Sequence, residues 1–381
     1  MTLRAIPIVI GSVFGVLTPI AASQTNANVT LYGLVDLGLA YQSVTAGDSP
    51  TEFRNPGRRA SQLALASGQQ SSSRWGLKGT EDLGDGLSAS FVLESGFNAA
   101  DGTGSGFSRQ TTIGLSQKNV GAIELGRQLS PGSYAFKGID PFDTSFGQAS
   151  MDSSLGATNV RLSNMVFVSS TELSGLRFMA AWSFETGLKS LNSPNKPGFE
   201  TSQKDRAVSL AARYASGPVL LAAMFDTYYS PSGPGATDVK QWNVGATYDF
   251  KVLKLHGAFG QNIDGRVSGT NVLSNVATSG GDANTRGAVF YEPGARTNQW
   301  MLGLSAPVGG AGKVFASIQQ LRPGGDFTMG ERGNQTTSSL GYTYNLSKRT
   351  NFYAYYSYMT GASMYSGAKS QILGAGVRHL F

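Results

Sequence analysis

The 381-residue chain has no cysteine and only two histidines, His256 and His379. Without thiols there is neither a disulfide framework nor a cysteine nucleophile or ligand. No GxSxG occurs, and no His or carboxylate cluster has metal-ligand spacing, so the nucleophile, base and orienting group of a lipase or protease are missing. No metal, cofactor or catalytic activity is expected. The glycines of Asp101-Gly-Thr-Gly-Ser-Gly106 sit in a loop with no helix after them, so they do not read as a phosphate loop. Charge is sparse at 14% of residues, and the net +6 is too small and too dispersed for a nucleic-acid footprint. Beyond the first 23 residues no run of 18 apolar residues exists, so no helix is expected to span a membrane.

Those first 23 residues differ in kind. Arg4 is their only charge, Ala5 to Ile20 is apolar except for Ser12 and Thr18, and small residues Ala21-Ala22-Ser23 follow. This is the layout of a secretory leader cleaved near Ser23. The alternative is a membrane anchor, against which stand two prolines and the abruptly polar SQTNAN that follows. Residues 24–381 are then a single exported domain held by backbone pairing and packing, as a closed sheet provides.

Composition agrees: 50 glycines, many small polar residues and few charges do not describe a helical enzyme. From Val29 the pattern has period two. Val29, Leu31, Val35, Leu37, Leu39 and Tyr41 alternate with Thr30, Tyr32, Asp36 and Gly38; the same holds for 176–185, 241–250 and 339–346. Alternation alone fits a soluble sandwich as well as a membrane barrel. Strands of about 9–14 residues, aromatics gathered at strand ends (Tyr41, Tyr228, Tyr229, Tyr248, Phe250, Tyr344, Tyr358) and alternating short and long connections favour the barrel.

Short turns fall at 81–86, 118–121, 172–175, 215–218, 250–254, 308–312 and 346–350, and long polar loops near 42–61, 98–106, 131–159, 189–204, 231–238, 265–295, 323–333 and 361–368. Seven turns and eight loops predict sixteen strands, an even number that leaves an aqueous channel. The fold class is all-β, a sixteen-stranded antiparallel transmembrane barrel. Its third loop, Pro131 to Asn159, is too long for a passive connection; Tyr134, Phe136, Phe142 and Phe146 give it something to pack with, and Asp140, Asp143 and Asp152 give it charge. It is expected to fold inward and narrow the pore. The last strand alternates Leu373, Ala375, Val377, His379 and ends on Phe381, which in an outer membrane looks like a signal read by the barrel assembly machinery.

The stretches VTLYGLVDLGL (29–39), SRWGLKGTEDLGDGLSASFVLESGF (73–97), SRQTTIGLSQKNVGAIELGRQ (108–128), RLSNMVFVSS (161–170), APVGGAGKV (306–314), LGYTYNLSKRTNFYAYYSY (340–358) and GAGVRHLF (374–381) together resemble the general porins of Gram-negative outer membranes, of the beta-proteobacterial and neisserial type. The resemblance implies a homotrimer in contact with outer-membrane lipid and lipopolysaccharide, each barrel passing small hydrophilic solutes and ions by passive diffusion. It also implies wall arginines facing acids on the third loop. Arg74, Arg109 and Arg161 fall where the family places such arginines, and Arg127 lies beside the loop's first end; Asp140 and Asp143 are the facing acids, and Lys78 and Glu94 extend the lining. Arg74 alternates away from Trp75 and Leu77, as an inward residue should, whereas Arg109 shares parity with Ile113 and Leu115. Either a bulge intervenes there, or that strand is apolar on both faces against a trimer neighbour. The wall favours anions and the loop acids oppose it. A porin selective for phosphate or small organic acids is the alternative, and a surface-binding barrel using the 265–295 loop is a third class.

Overall fold

The computed structural model describes residues 28–381 apart from 51–52, 54, 189, 192–199, 202–203, 232–236, 268–288 and 326–332. The leader expected at residues 1–23 and most of the 265–295 loop lie outside the described residues. Sixteen antiparallel staves close on themselves, in chain order. They are β1 (Asn28–Thr45), the broken β2 (Arg59–Ser67 with Arg74–Gly84), β3 (Leu87–Gly96), β4 (Gln110–Gln117) and β5 (Gly121–Leu129). Next come β6 (Arg161–Ser170), β7 (Leu176–Ser183), β8 (Arg206–Ser216), β9 (Val219–Tyr229), β10 (Val239–Asp249) and β11 (Lys254–Val267). The last are β12 (Val289–Val308), β13 (Gly312–Gly325), β14 (Gln335–Asn345), β15 (Thr350–Thr360) and β16 (Lys369–Leu380). A two-residue piece, Ser190–Leu191, pairs in parallel with the start of β12.

Closure runs from Leu34 opposite Leu380 to Thr45 opposite Lys369. Phe381 completes the seam, exchanging two 3.1 Å backbone hydrogen bonds with Gly33. The period of two then separates two faces along most staves. Leu31, Leu63, Ile113, Leu302, Leu340 and Leu373 face out and are exposed, whereas Asp36, Gln241, Asn243, Gln299, Gln319 and Ser357 face in and are buried. All seven predicted short turns join consecutive staves, and all eight long connections leave from the opposite rim. Among the described residues no helix is long and apolar enough to cross a membrane.

The break in β2 was not legible from alternation. β1 pairs with Arg59–Ser67 through residues 37–45 and with Arg74–Gly84 through residues 28–34. At the changeover, buried Asp36 captures the interrupting peptide. Its Oδ2 accepts the Ser71 N–H at 2.5 Å, its carbonyl accepts the Gly68 N–H at 2.9 Å, and its Oδ1 accepts the Tyr353 hydroxyl at 2.6 Å. Gly68, at φ +71, makes the turn that carries Gln69 and Gln70 into the barrel.

Candidate functional site

The segment between β5 and β6 is buried along most of its length and bonded to inward-facing wall residues. It starts as a short helix, α1 (Pro131–Ala135), capped by Ser130, whose Oγ accepts the Ser133 N–H, with Pro131 in the first turn. The far wall then supplies donors to its carbonyls. Arg213 reaches those of Ala135 and Lys137, His256 Nδ1 lies 2.8 Å from that of Ile139, Gln319 Nε2 donates to those of Ala149 and Ser150, and Gln335 Nε2 to that of Ser153. Gln241 and Asn243 share the carbonyl of Gly156, while Gln148 runs the other way, donating to the Ser357 carbonyl. Phe142 and Phe146 add edge contacts with Phe315, Tyr353 and Tyr355.

Opposite the segment a cavity of about 680 Å³ is lined by Arg74, Arg109, Arg127 and Arg161 from the wall side, with Glu94 among them, and by Lys137 and Asp143 from the loop. Glu94 organises the first two arginines: its Oε1 takes Arg109 Nε at 2.7 Å, and its Oε2 takes Arg74 Nε at 3.5 Å and the Tyr32 hydroxyl at 3.1 Å. Arg109 reaches this pair because it is a bend residue and β4 begins one residue later, so strand parity never applied to it. Arg127 sits on a bulge. The register shifts between Gly126 and Gln128, Gly126 has φ +123, and the guanidinium donates to the Ser108 carbonyl at 2.6 Å and to Ser163 Oγ at 2.7 Å. Arg161, the first residue of β6, pairs with Leu129 in the ladder, while its side chain makes no hydrogen bond or ion pair among the described residues.

The loop acids divide. Asp143 lies on a tight turn at φ +52, beside Thr144 at φ +53, and faces the cavity. Burial raises its carboxyl above the ordinary range, opposed by Lys313 and Lys137. Asp140, expected to line the pore, is instead buried inside the loop. It accepts N–H groups of Phe142 (2.9 Å), Thr144 (3.0 Å) and Met151 (2.8 Å) and the hydroxyl of Ser150 (3.2 Å). Burial pushes it up to about 7 against those donors. Asp152 is buried as well. A carboxylate suits a loop that must turn several N–H groups inward, so an acid here serves as an internal cap.

Lys137 was not foreseen as lining: its ammonium lies 4.4 Å from the centre of the Tyr134 ring, and burial lowers its pKa, opposed by Asp143. Its only sequence signal was being the single cation at the loop's start. Lys78 stands over the Tyr32 ring at 5.3 Å, and it is absent from the cavity lining. His256 is a tether, with Ser305 Oγ 3.1 Å from Nε2. No group of three or more His, Cys, Asp or Glu gathers as a metal site among the described residues.

A closed sheet of sixteen staves, apolar outside and enclosing a charged aqueous cavity, is a membrane channel of the porin class rather than an enzyme. The model of the Gram-negative porin family matches residues 12–362. An outer membrane porin protein of Bordetella pertussis is 39% identical over 380 residues, covering 94% of this chain and 96% of that one. The outer membrane porin protein 32 of Delftia acidovorans is 31% identical, covering 89% and 85%. Among solved structures, an anion-selective porin from Comamonas acidovorans superposes with a TM-score of 0.68 at 26% identity, covering 93% of this chain and all of the other. The chain belongs to the Gram-negative porin family, and its place is the outer membrane.

Proposed function

We propose that the 131–159 loop constricts a general diffusion channel for small hydrophilic solutes and that the constriction favours anions. The observation carrying this is a count of charges on the cavity: Arg74, Arg109, Arg127, Arg161 and Lys137 against Glu94 and Asp143, five positive and two negative, a net +3. With Asp140 and Asp152 buried in the loop, Asp143 alone of the three loop acids opposes the wall arginines. The excess positive charge raises local anion concentration, while the pairing of Arg74 and Arg109 with Glu94 keeps those heads ordered across the pore. The similar Comamonas porin being anion-selective supports the same sign. Arginine suits the wall because its charge persists at every relevant pH and its planar heads stack.

The test is the zero-current potential of the purified protein in a planar bilayer under a salt gradient. Anion preference is expected; cation preference would sink the reading. A channel selective for phosphate or small organic acids is the second reading, favoured by the Arg161 guanidinium, which has no partner among the described residues, and saturation of current by one such anion at low concentration distinguishes it. Assembly as a homotrimer is supported by the low wall from β3 to β7, staves of 8–10 residues with exposed Ile113, Leu115 and Leu125. Contact with lipopolysaccharide and recognition of Phe381 by the assembly machinery belong to the same proposal.

A further inference from the structure

Behind the loop, away from the cavity, five inward polar side chains stand side by side on five consecutive staves. Ser209 is opposite Asp226, Asp226 opposite Gln241, Gln241 opposite Asn262, and Asn262 opposite Thr297. None is more than 1% exposed. Their donors are engaged at the margins of the row. Asn262 Nδ2 donates to Thr297 Oγ1 at 2.8 Å and to Gln299 Oε1 at 3.0 Å, Gln241 Nε2 donates to the Gly156 carbonyl, and Asp226 Oδ2 accepts the Tyr228 hydroxyl at 3.2 Å. Among the described residues, three acceptors in the middle have no hydrogen-bond partner: Asp226 Oδ1, Gln241 Oε1 and Asn262 Oδ1.

Because Asn262 aims its nitrogen at β12, its oxygen turns back towards β10. Asp226 is held by the hydroxyls of Tyr228 and Ser209, and its Oδ1, beside Gln241, has no hydrogen-bond partner among the described residues. Directly opposed residues have Cβ atoms about 4.5–5.5 Å apart, so three such side chains on adjacent staves bring their oxygens to one small volume. A sealed carboxylate with no ion pair among the described residues, next to two amide oxygens lacking donors, calls for positive charge.

We propose that Asp226 Oδ1, Gln241 Oε1 and Asn262 Oδ1 hold a hard, oxygen-seeking cation, with calcium as the ion that fits. All three donors are oxygens and only one is charged. Calcium accepts mixed carboxylate and amide ligands in flexible geometry, with water completing its shell, whereas magnesium demands a near-octahedral cage. The ion neutralises Asp226 and fixes the Gln241 amide that donates to Gly156, so it clamps the back of the loop to β9, β10 and β11. The site stands whether or not the loop sets ion preference.

The test is elemental analysis of the purified protein after exchange from calcium-containing into metal-free buffer, paired with heat unfolding in calcium and in EDTA. The wild type is expected to retain a calcium ion for every chain and to unfold several degrees lower in EDTA. Asp226→Asn is expected to lose the metal and the EDTA shift, while Asp249→Asn at the short-turn rim keeps both. Gln241→Leu, with the carboxylate left in place, is expected to weaken retention and supplies the readout if Asp226→Asn folds poorly. A wild type without calcium and without an EDTA shift would overturn the proposal in favour of a protonated Asp226 donating to Gln241 Oε1. Retention of calcium by Asp226→Asn would overturn it too.

Discussion

Arg161→Gln isolates the electrostatics of the channel, because the Arg161 guanidinium has no hydrogen bond or ion pair among the described residues and its loss leaves no stranded carboxylate. At about 5 Å from the path of a hydrated ion, a unit charge in a water-filled pore is worth about 0.8 kcal/mol, which screening at 0.1 M salt reduces to about 0.5 kcal/mol. Neutralising it makes an anion less favoured and a cation more favoured by that amount, a difference of about 1 kcal/mol, or roughly five-fold in the anion-to-cation permeability ratio. The assay is the reversal potential of wild type and variant in a planar bilayer under a salt gradient. In a gradient centred near 1 M salt, where the screening length falls to about 3 Å, the same substitution should change the ratio by less than about two-fold. No shift at low salt would refute the placement of Arg161 on the conduction path. An equal shift at both salt levels would refute the electrostatic account and point to a change of shape.

Asp143→Asn should move the reversal potential the opposite way from Arg161→Gln. Since burial raises the Asp143 carboxyl, acidification should neutralise it before exposed carboxylates, so anion preference in the wild type should rise as pH falls through that raised value. In Asp143→Asn the component of that rise owed to this group should be missing. Asp140→Ala strips the acceptor from the buried N–H groups of Phe142 and Met151 and the half-buried one of Thr144, the buried ones each costing about 1–3 kcal/mol when left unsatisfied. Single-channel recordings should become noisier while far-ultraviolet circular dichroism keeps the barrel signature. Deleting Phe381 removes both backbone bonds to Gly33 at the seam and should lower the yield of heat-resistant folded protein.

Alternation and turn spacing made the barrel legible, because lipid on one side and water or packed loop on the other impose a period of two on every stave. Bulges and breaks do not announce themselves in that way. The Gly68–Ser73 interruption depends on Asp36, more than thirty residues away in sequence, and Arg127 enters the cavity only because Gly126 accepts a backbone conformation that shifts the register. Arg109 shares parity with Ile113 and Leu115 in sequence, but it is a bend residue one position before the strand begins, so neither a bulge nor a two-sided apolar strand is needed to bring it to the cavity. The loop acids were the least legible: Asp140 and Asp143 are the same residue type three positions apart, one a cap for inward N–H groups and the other facing water. Residue type carries no information on that choice; the tight turn at Asp143 and Thr144 makes it.

The division of labour between these groups has a consequence for how the channel can vary. Gln319, Gln335, Gln241, Asn243, His256 and Arg213 grip the loop through its backbone carbonyls, contacts indifferent to most loop side chains. Asp143 and Lys137 therefore carry charge without carrying anchorage, whereas Asp140 and Gln319 carry anchorage without facing the cavity. A substitution in the first set should alter ion preference at constant conductance noise, and one in the second should alter noise at constant preference. Gln319→Leu, which removes the donor to Ala149 and Ser150 at a cost of about 1 kcal/mol per bond, should then leave the reversal potential of Asp143→Asn unchanged in the double variant, because the two act through separate contacts. A non-additive reversal potential would mean that the wall donors set where Asp143 points, and that charge and aperture in this channel are a single property.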